Sequence, residues 1–467
     1  MSVPNTHFGA YGIKRILDGK NSIFFVGVGG INMSSLAHIS YVRGMRVGGS
    51  DRTSSVLTKR LEAEGLEIFY SHDAAHLDGY EALVYTVAIS DDNPEYVEAK
   101  RRGIPCISRA DYMGYLMTDY KNRIGISGMH GKSTCTSMCA EVLLGAQADP
   151  TVLSGAEMSG MGGAYRVGGM ENFLFEACEY MDSFLDFNPT VSVILNIEMD
   201  HVDYFTSMEQ IKRSFLNFAN IALGGVCVAN ADDENVRDAL SGYTGRVRWF
   251  GINDENADVC ARNIEKINGC YAFDIFENGE LMRHVQLGVG GYHNIYNALA
   301  SATALSSVGI SWDGIKRGLE AFSGAMRRME YKGTQNGARV FDDYGHHPTE
   351  VKTTLEGARD MTAGRLFCVF QSHTYSRTAA LIDDFADALS VADRVIITDI
   401  YAARETDTKG VTPELLAGMI GDKAIAVHGF DEAARVLRDE LCEDDLAVVM
   451  GAGDVWHTFE YLDLKRG

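Results

Sequence analysis

The sequence predicts an α/β protein of three domains, each built on parallel strands. Short apolar or β-branched runs recur from Ser22 to Met450 and alternate with stretches of helical spacing, the pattern of βαβ units. Two of these runs open onto glycine turns, at residues 27–30 and 128–131, each followed at once by a helical stretch. At 467 residues the chain is too long for one core, and length alone favours about three domains. The expected boundaries are 1–120, a Rossmann-like domain; 121–325, a central P-loop-type ATPase domain; and 326–467, a second Rossmann-like domain.

In the first domain, residues 22–26 form an apolar strand that runs into Gly27, Gly29 and Gly30, and residues 34–43 follow with helical spacing. A second strand ends on Asp51, about 20 residues on, as in dinucleotide-binding units. The third glycine of that fingerprint is replaced by Asn32. The turn therefore suits any diphosphate on a helix N-terminus and does not by itself specify a nicotinamide. Residues 82–87 and 104–107 read as further strands, 93–102 as a helix, and His72 and His76 as exposed loop histidines.

The central domain opens on a strand at residues 124–127, then Gly128, Met129, His130, Gly131, Lys132, Ser133 and Thr134. Glycines around a turn and Lys-Ser at the start of a helix (133–144) are the grammar of a nucleotide triphosphate site. Helix N–H groups and Lys132 would face phosphate oxygens, and the Ser133 hydroxyl a Mg²⁺ ion. Gly128 lies only three residues before Gly131, closer than in the general P-loop form. Cys135 and Cys139, one turn apart, read as packed thiols. Glycine-rich residues 155–169, including Gly160 and Gly162, read as loops. Two apolar strands then end in acids, one on Glu176 and Glu179, the other on Glu198, Asp200, His201 and Asp203. Carboxylates at strand ends beside a phosphate loop suit a metal, with His201 either a ligand or a residue behind one. His293 and Asn297 share a helix face that meets a base or a ribose, and Asn294 reads as a helix cap.

In the third domain Arg327 and Arg328 follow a Ser-Gly turn at the hinge. Strands at residues 340–343, 366–370, 394–400 and 447–450 open onto Asp343, His346, His373, Arg377, Arg404 and a last glycine turn. An edge rich in His and Arg suits a small zwitterion, whose carboxylate an Arg takes bidentately.

The formal charge of -22 and the absence of Lys/Arg runs exclude a polyanion such as nucleic acid as partner. No apolar stretch approaches the ~20 residues of a membrane span, and residues 1–7 lack a signal-peptide pattern. The nine cysteines are scattered without a CxxC pair, which suits reduced thiols in the cytoplasm.

Taken in order, residues 27–36 with Asp51, 128–134, 176–184, 196–203, 293–300, Arg327-Arg328, 343–350 and 370–378 resemble the Mur ligases. Within that family the likeness is greatest to members that join L-alanine to UDP-N-acetylmuramate in peptidoglycan synthesis, in their Gram-positive form. The resemblance implies that Gly27, Gly29, Gly30 and Asp51 hold the UDP-sugar. ATP would lie on residues 128–134, with His293, Asn294 and Asn297 at the nucleotide and Asp343 at its ribose. Lys132 would meet phosphate, Ser133 and Glu176 would bind Mg²⁺, and His201 a second Mg²⁺. Arg327 or Arg328 would offset charge in the reaction, and His346, His373 and Arg377 would surround the alanine. Two positions depart from the commonest family form: Met129 replaces a threonine, and Thr374 stands where many relatives have arginine. The alternatives are a ligase that adds a whole peptide to the UDP-sugar, a nicotinamide oxidoreductase and a regulatory ATP-binding protein.

Overall fold

The computed structural model describes residues 3–158, 161, 163–201, 204–267, 269–403, 405 and 410–465. Gly160, Gly162, Asp203 and Arg404 lie outside these. Three sheets follow one another along the chain. The first is parallel, with strands β1 (Ser22–Val26), β2 (Arg46–Ser50), β3 (Glu67–Phe69), β4 (Leu83–Tyr85) and β5 (Cys106–Ser108) in the order β3-β2-β1-β4-β5. β1 is buried at every position, which is why it reads as continuous apolar sequence and not as an alternation.

The central sheet has ten strands: β6 (Asn122–Ser127), β7 (Thr151–Met158), β8 (Gly163–Arg166), β9 (Asn172–Glu176), β10 (Val191–Ile194), β11 (Val226–Asn230), β12 (Val247–Gly251), β13 (Val259–Ile267), β14 (Cys270–Glu277) and β15 (Glu280–Gly290). Their order is β15-β14-β13-β12-β11-β10-β6-β9-β7-β8. The parallel middle places the ends of β6, β9 and β10 side by side, with Ile126 paired to both Glu176 and Val193. Loop structure was expected at 155–169. Instead β7 runs beside β9 and pairs antiparallel with β8, because sheet neighbours satisfy a glycine-rich backbone whose side chains carry no strand signal.

The third sheet contains β16 (Glu330–Gln335), β17 (Ala338–Asp343), β18 (Leu366–Phe370), β19 (Arg394–Ile397), β20 (Ala424–Ala426) and β21 (Leu446–Met450). It is parallel apart from β16, in the order β16-β17-β21-β18-β19-β20.

The two joints between these units differ in chemistry. One buried apolar cluster runs from Phe25 and Tyr112 in the first unit to Phe175, Phe184 and Phe218 in the second. The helix Arg109–Met117 lies so close to the segment Tyr180–Asp186 that a Cβ on Gly114 would stand 1.9 Å from the Asp186 carbonyl oxygen. The third unit has its own apolar clusters and meets the centre through polar side chains. His72 and His76, expected as exposed loop histidines, are half-buried. Their ring nitrogens lie 3.0 and 3.2 Å from the carboxylate of Glu95, whose side chain is wholly buried, so they are structural partners of an acid and not exposed loop residues. Among the described residues no helix is long and apolar enough to cross a membrane.

Candidate active site

β6 delivers the chain into the turn 128–131, and the helix Lys132–Gly145 starts directly behind it. Gly131 has φ of 83°, and a Cβ there would meet Asn297 Oδ1 at 2.7 Å, so both backbone and space demand glycine. Asn196, just past β10, braces the turn by accepting from His130 N at 2.8 Å and donating to His130 O at 3.0 Å. No side chain caps the helix that begins at Lys132. Its first-turn N–H groups therefore need an acceptor, as at a phosphate site. Met129 is buried in the apolar cluster shared with the first unit.

Lys132 Nζ donates to Gly128 O at 2.5 Å, Met129 O at 3.2 Å, and both oxygens of Glu179 at 3.2 and 3.1 Å. Burial opposes the Lys132 charge, but Glu179 outweighs it and leaves the ammonium above its ordinary value. Ser133 Oγ donates to Glu176 Oε2 at 3.2 Å, while Ser154 Oγ and Gly155 N hold Oε1 at 2.9 and 2.6 Å. His201 stands beside Glu179 and not beside Glu176. Its Nε2 lies 3.0 Å from Glu179 Oε1, because the turn after β9 carries Glu179 three residues further along the cleft. The oxygen pair Ser133 and Glu176 matches the preference of a hard divalent cation such as Mg²⁺, which keeps water and phosphate for its other positions.

A cavity of about 420 Å³ opens beside this loop between the central and third units. Thr134, His293, Asn294, Asn297, Arg328 and Asp343 are among its lining residues. Asn294 does not cap its helix. It donates to Gly290 O at 2.6 Å and accepts from Asn297 Nδ2 at 3.0 Å, which fixes the amide pair as part of the wall. The surrounding walls and Arg328 push the His293 imidazole down to about 4, leaving it neutral. Asp343 accepts from Met329 N and Gly345 N at 2.9 and 2.8 Å.

The paired arginines separate. Arg328 Nη1 stands 3.7 Å from Glu350 at the cavity. Arg327 turns into the third unit, where Nη2 donates to Gly451 O at 2.7 Å and Nε lies 3.4 Å from Asp342. These contacts tie Arg327 into the third unit and leave Arg328 as the member of the pair that lines the cavity.

At the first sheet, Gly27, Gly29 and Gly30 form the turn after β1. Asp51 Oδ2 accepts from Gly29 N at 2.8 Å and Oδ1 from Arg52 N at 2.7 Å, so its carboxylate braces that turn.

In the third unit His346 and His373 stand 5.9 Å apart, centroid to centroid. Arg377 is held by two contacts: Nη2 is 3.1 Å from Asp200 Oδ1 and Nη1 is 3.4 Å from His373 Nδ1. Thr374, at φ of 66°, caps the helix Tyr375–Ala380 by accepting from Arg377 N. From the motifs Glu179, Glu198 and Asp200 are strand-end acids suited to a metal, with no partner named for any of them, and Glu350 has no role. For Glu350 the usable signal is spacing, since His346 and Glu350 lie four residues apart at a helix start.

The seam between the central and third units runs through His130. Its Nε2 lies 3.3 Å from Glu198, its Nδ1 lies 3.4 Å from Glu350, and Thr349 Oγ1 donates to Glu198 at 2.9 Å. Burial opposes protonation of His130, but the two carboxylates prevail and push it up to about 9. A folded-state value above the ordinary 6.5 means the pairing is fully stabilising below 6.5 and is lost as pH rises through 9. The seam should therefore loosen, by about 1–3 kcal/mol, on going from neutral to alkaline solution. Interdomain energy transfer between dyes on the central and third units checks this, and the pH dependence should vanish in His130→Gln.

Comparison with known proteins agrees with this layout. The model described as Mur ligase family, catalytic domain, matches residues 22–121; Mur ligase middle domain matches 126–305; and Mur ligase, glutamate ligase domain, matches 327–453. The UDP-N-acetylmuramate--L-alanine ligase of Clostridium novyi is 44% identical over 453 residues, covering 96% of this chain and 98% of the relative. That of Caldicellulosiruptor bescii is 43% identical, covering 93% and 96%. The crystal structure of UDP-N-acetylmuramate-alanine ligase from Thermotoga maritima superposes with a TM-score of 0.78 at 27% identity, over 94% of this chain and 98% of that one. A murein peptide ligase from Psychrobacter arcticus shares the fold at a TM-score of 0.71 and 22% identity, over 96% and 100%. Three matched domains in order and near-full-length identity above 40% establish that this chain belongs to the Mur ligase family.

Proposed function

We propose that the protein joins L-alanine to the carboxylate of UDP-N-acetylmuramate at the expense of ATP, through an acyl phosphate. The reading rests on one observation above the rest: the phosphate loop, the acid-rich ends of β9 and β10, and a His/Arg edge of the third unit converge on a single cleft. Its relatives at 41–44% identity carry the name of that ligase.

In this reading Gly27, Gly29 and Gly30 hold the diphosphate of the UDP-sugar, and the 128–134 loop holds the triphosphate of ATP. His293, Asn294, Asn297 and Asp343 line the adenosine end. Ser133 and Glu176 would hold Mg²⁺, with Glu179 and His201 beside it. The ion supplies charge neutralisation between the two anions that must meet. The sugar carboxylate attacks the γ-phosphorus, an O–P bond forms, and ADP leaves. Lys132 and Arg328 oppose the charge that builds at the transferring phosphoryl group. Closure of the third unit keeps water from the acyl phosphate. The amine of alanine then attacks the acyl carbon, and phosphate departs. His346, His373 and Arg377 surround that amino acid.

The test is phosphate release from ATP and Mg²⁺ with UDP-N-acetylmuramate, with and without L-alanine. Release that requires both, with a product of the mass of UDP-N-acetylmuramoyl-L-alanine, is expected. Release with a tripeptide and none with alanine overturns the acceptor.

A further inference from the structure

We propose that His346, oriented by Glu350, is the base that takes the proton from the ammonium group of the incoming amino acid. This role rests on the ligase reading above and follows from the tautomers of the two histidines. His346 Nδ1 lies 3.1 Å from Tyr344 O and 3.3 Å from Glu350 Oε2, two groups that only accept. Its ring proton therefore belongs on Nδ1, and Nε2 carries a lone pair with no hydrogen-bond partner among the described residues. Glu350 Oε2 also accepts from His346 N at 3.1 Å, so one carboxylate fixes both the backbone and the ring of the histidine. His373 is arranged in the opposite sense. Arg377 Nη1 donates to its Nδ1 at 3.4 Å, which places the proton on Nε2 and makes that face a donor. Of these two neighbouring histidines, only His346 presents an unpartnered acceptor.

Burial, joined by the Arg377 guanidinium, outweighs the opposing pull of Glu350 and pushes the His346 imidazole down to about 4, so it arrives at the reaction without a proton. Glu350 ties this orientation to closure, because the same carboxylate reaches His130 in the phosphate loop at 3.4 Å and Arg328 at 3.7 Å. When the third unit seats on the loop, the acceptor is set. A carboxylate behind the ring also steadies the imidazolium once it forms.

One N–H proton of the ammonium passes to His346 Nε2. The freed lone pair forms the C–N bond at the acyl carbon, and the C–O bond to phosphate breaks. The second proton lost on the way to the amide leaves on the phosphate, as hydrogen phosphate, and His346 returns its proton to water.

The test compares two nucleophiles in His346→Gln: L-alanine, an ammonium at neutral pH, and hydroxylamine, which is already unprotonated there and gives a hydroxamate read as its coloured ferric complex. With L-alanine, kcat should fall about 100-fold or more and recover steadily as pH is raised. With hydroxylamine, hydroxamate formation should stay within about threefold of the unmodified enzyme. Equal loss with both nucleophiles, or no loss with alanine, overturns the assignment. Glu350→Gln keeps the imidazole and removes its carboxylate; an unshifted acid limb of kcat/KM for L-alanine in that variant also overturns it. Failure of the unmodified enzyme to release phosphate with alanine would instead bring down the ligase reading itself.

Discussion

Lys132→Ala is expected to lower kcat by about 10³-fold or more while leaving affinity for UDP-N-acetylmuramate within about twofold. The ammonium is held by Gly128 O, Met129 O and Glu179 at the mouth of the phosphate loop, with a side chain 17% exposed. Every one of these contacts belongs to the central unit. The glycine turn proposed for the UDP-sugar lies on the first sheet, joined to the centre by a close-packed apolar cluster that the substitution does not touch. The loss should therefore fall on phosphoryl transfer, where charge builds, and not on binding of the sugar nucleotide. ADP release and calorimetric titration separate the two quantities. Full activity in Lys132→Ala, or a matching loss of sugar-nucleotide affinity, would refute this placement of the charge.

Glu179→Ala is expected to destabilise the protein by about 3–5 kcal/mol, read as a lower melting transition of the ligand-free protein. The Glu179 side chain is fully buried and carries two partners, Lys132 and His201. Removing it strands a buried ammonium on two carbonyls, which is the costly way to break a buried pair. Burial would raise the Glu179 carboxyl, but Lys132 and His201 more than offset that and hold it below its ordinary range. A depressed folded-state value stabilises above the ordinary 4.5 and is lost on acidification. The difference between unmodified protein and variant should therefore shrink in acid. A variant that melts with the unmodified protein at neutral pH would show that Lys132 finds an equal partner elsewhere.

Much of the architecture is legible because parallel strands buried on both faces are written as uninterrupted apolar runs. β1, β11, β18 and β21 are buried at all five positions, and each ends where a turn of polar or glycine residues begins. β7 and β8 escape such reading. Their residues include Ser154, Gly155 and Gly163, and their strand character comes from neighbours, not from their own side chains. The antiparallel ribbon β13 to β15 attracts no motif either, although its last strand leads to Gly291 and His293 at the cavity.

At the site, the sequence by itself determined which chemical groups arrive at the cleft. A glycine turn followed by Lys132 and Ser133 needs no tertiary information to mark a phosphate-binding helix start, because the constraint lies in local backbone geometry. Strand ends carrying Glu176, His201, Asp343 and His373 were visible in the same local way. Only the tertiary structure decided who pairs with whom. It gave His201 to Glu179 and not to Glu176, and turned Arg327 away from the cleft while leaving Arg328 in it. It also set Arg377 against Asp200, and made Glu350 the common partner of His130, Arg328 and His346. The physical reason is range. A turn or a cap is settled by a few adjacent residues, whereas a buried ion pair forms between whichever charges the packed domains leave within about 4 Å in a medium that punishes an unpaired one.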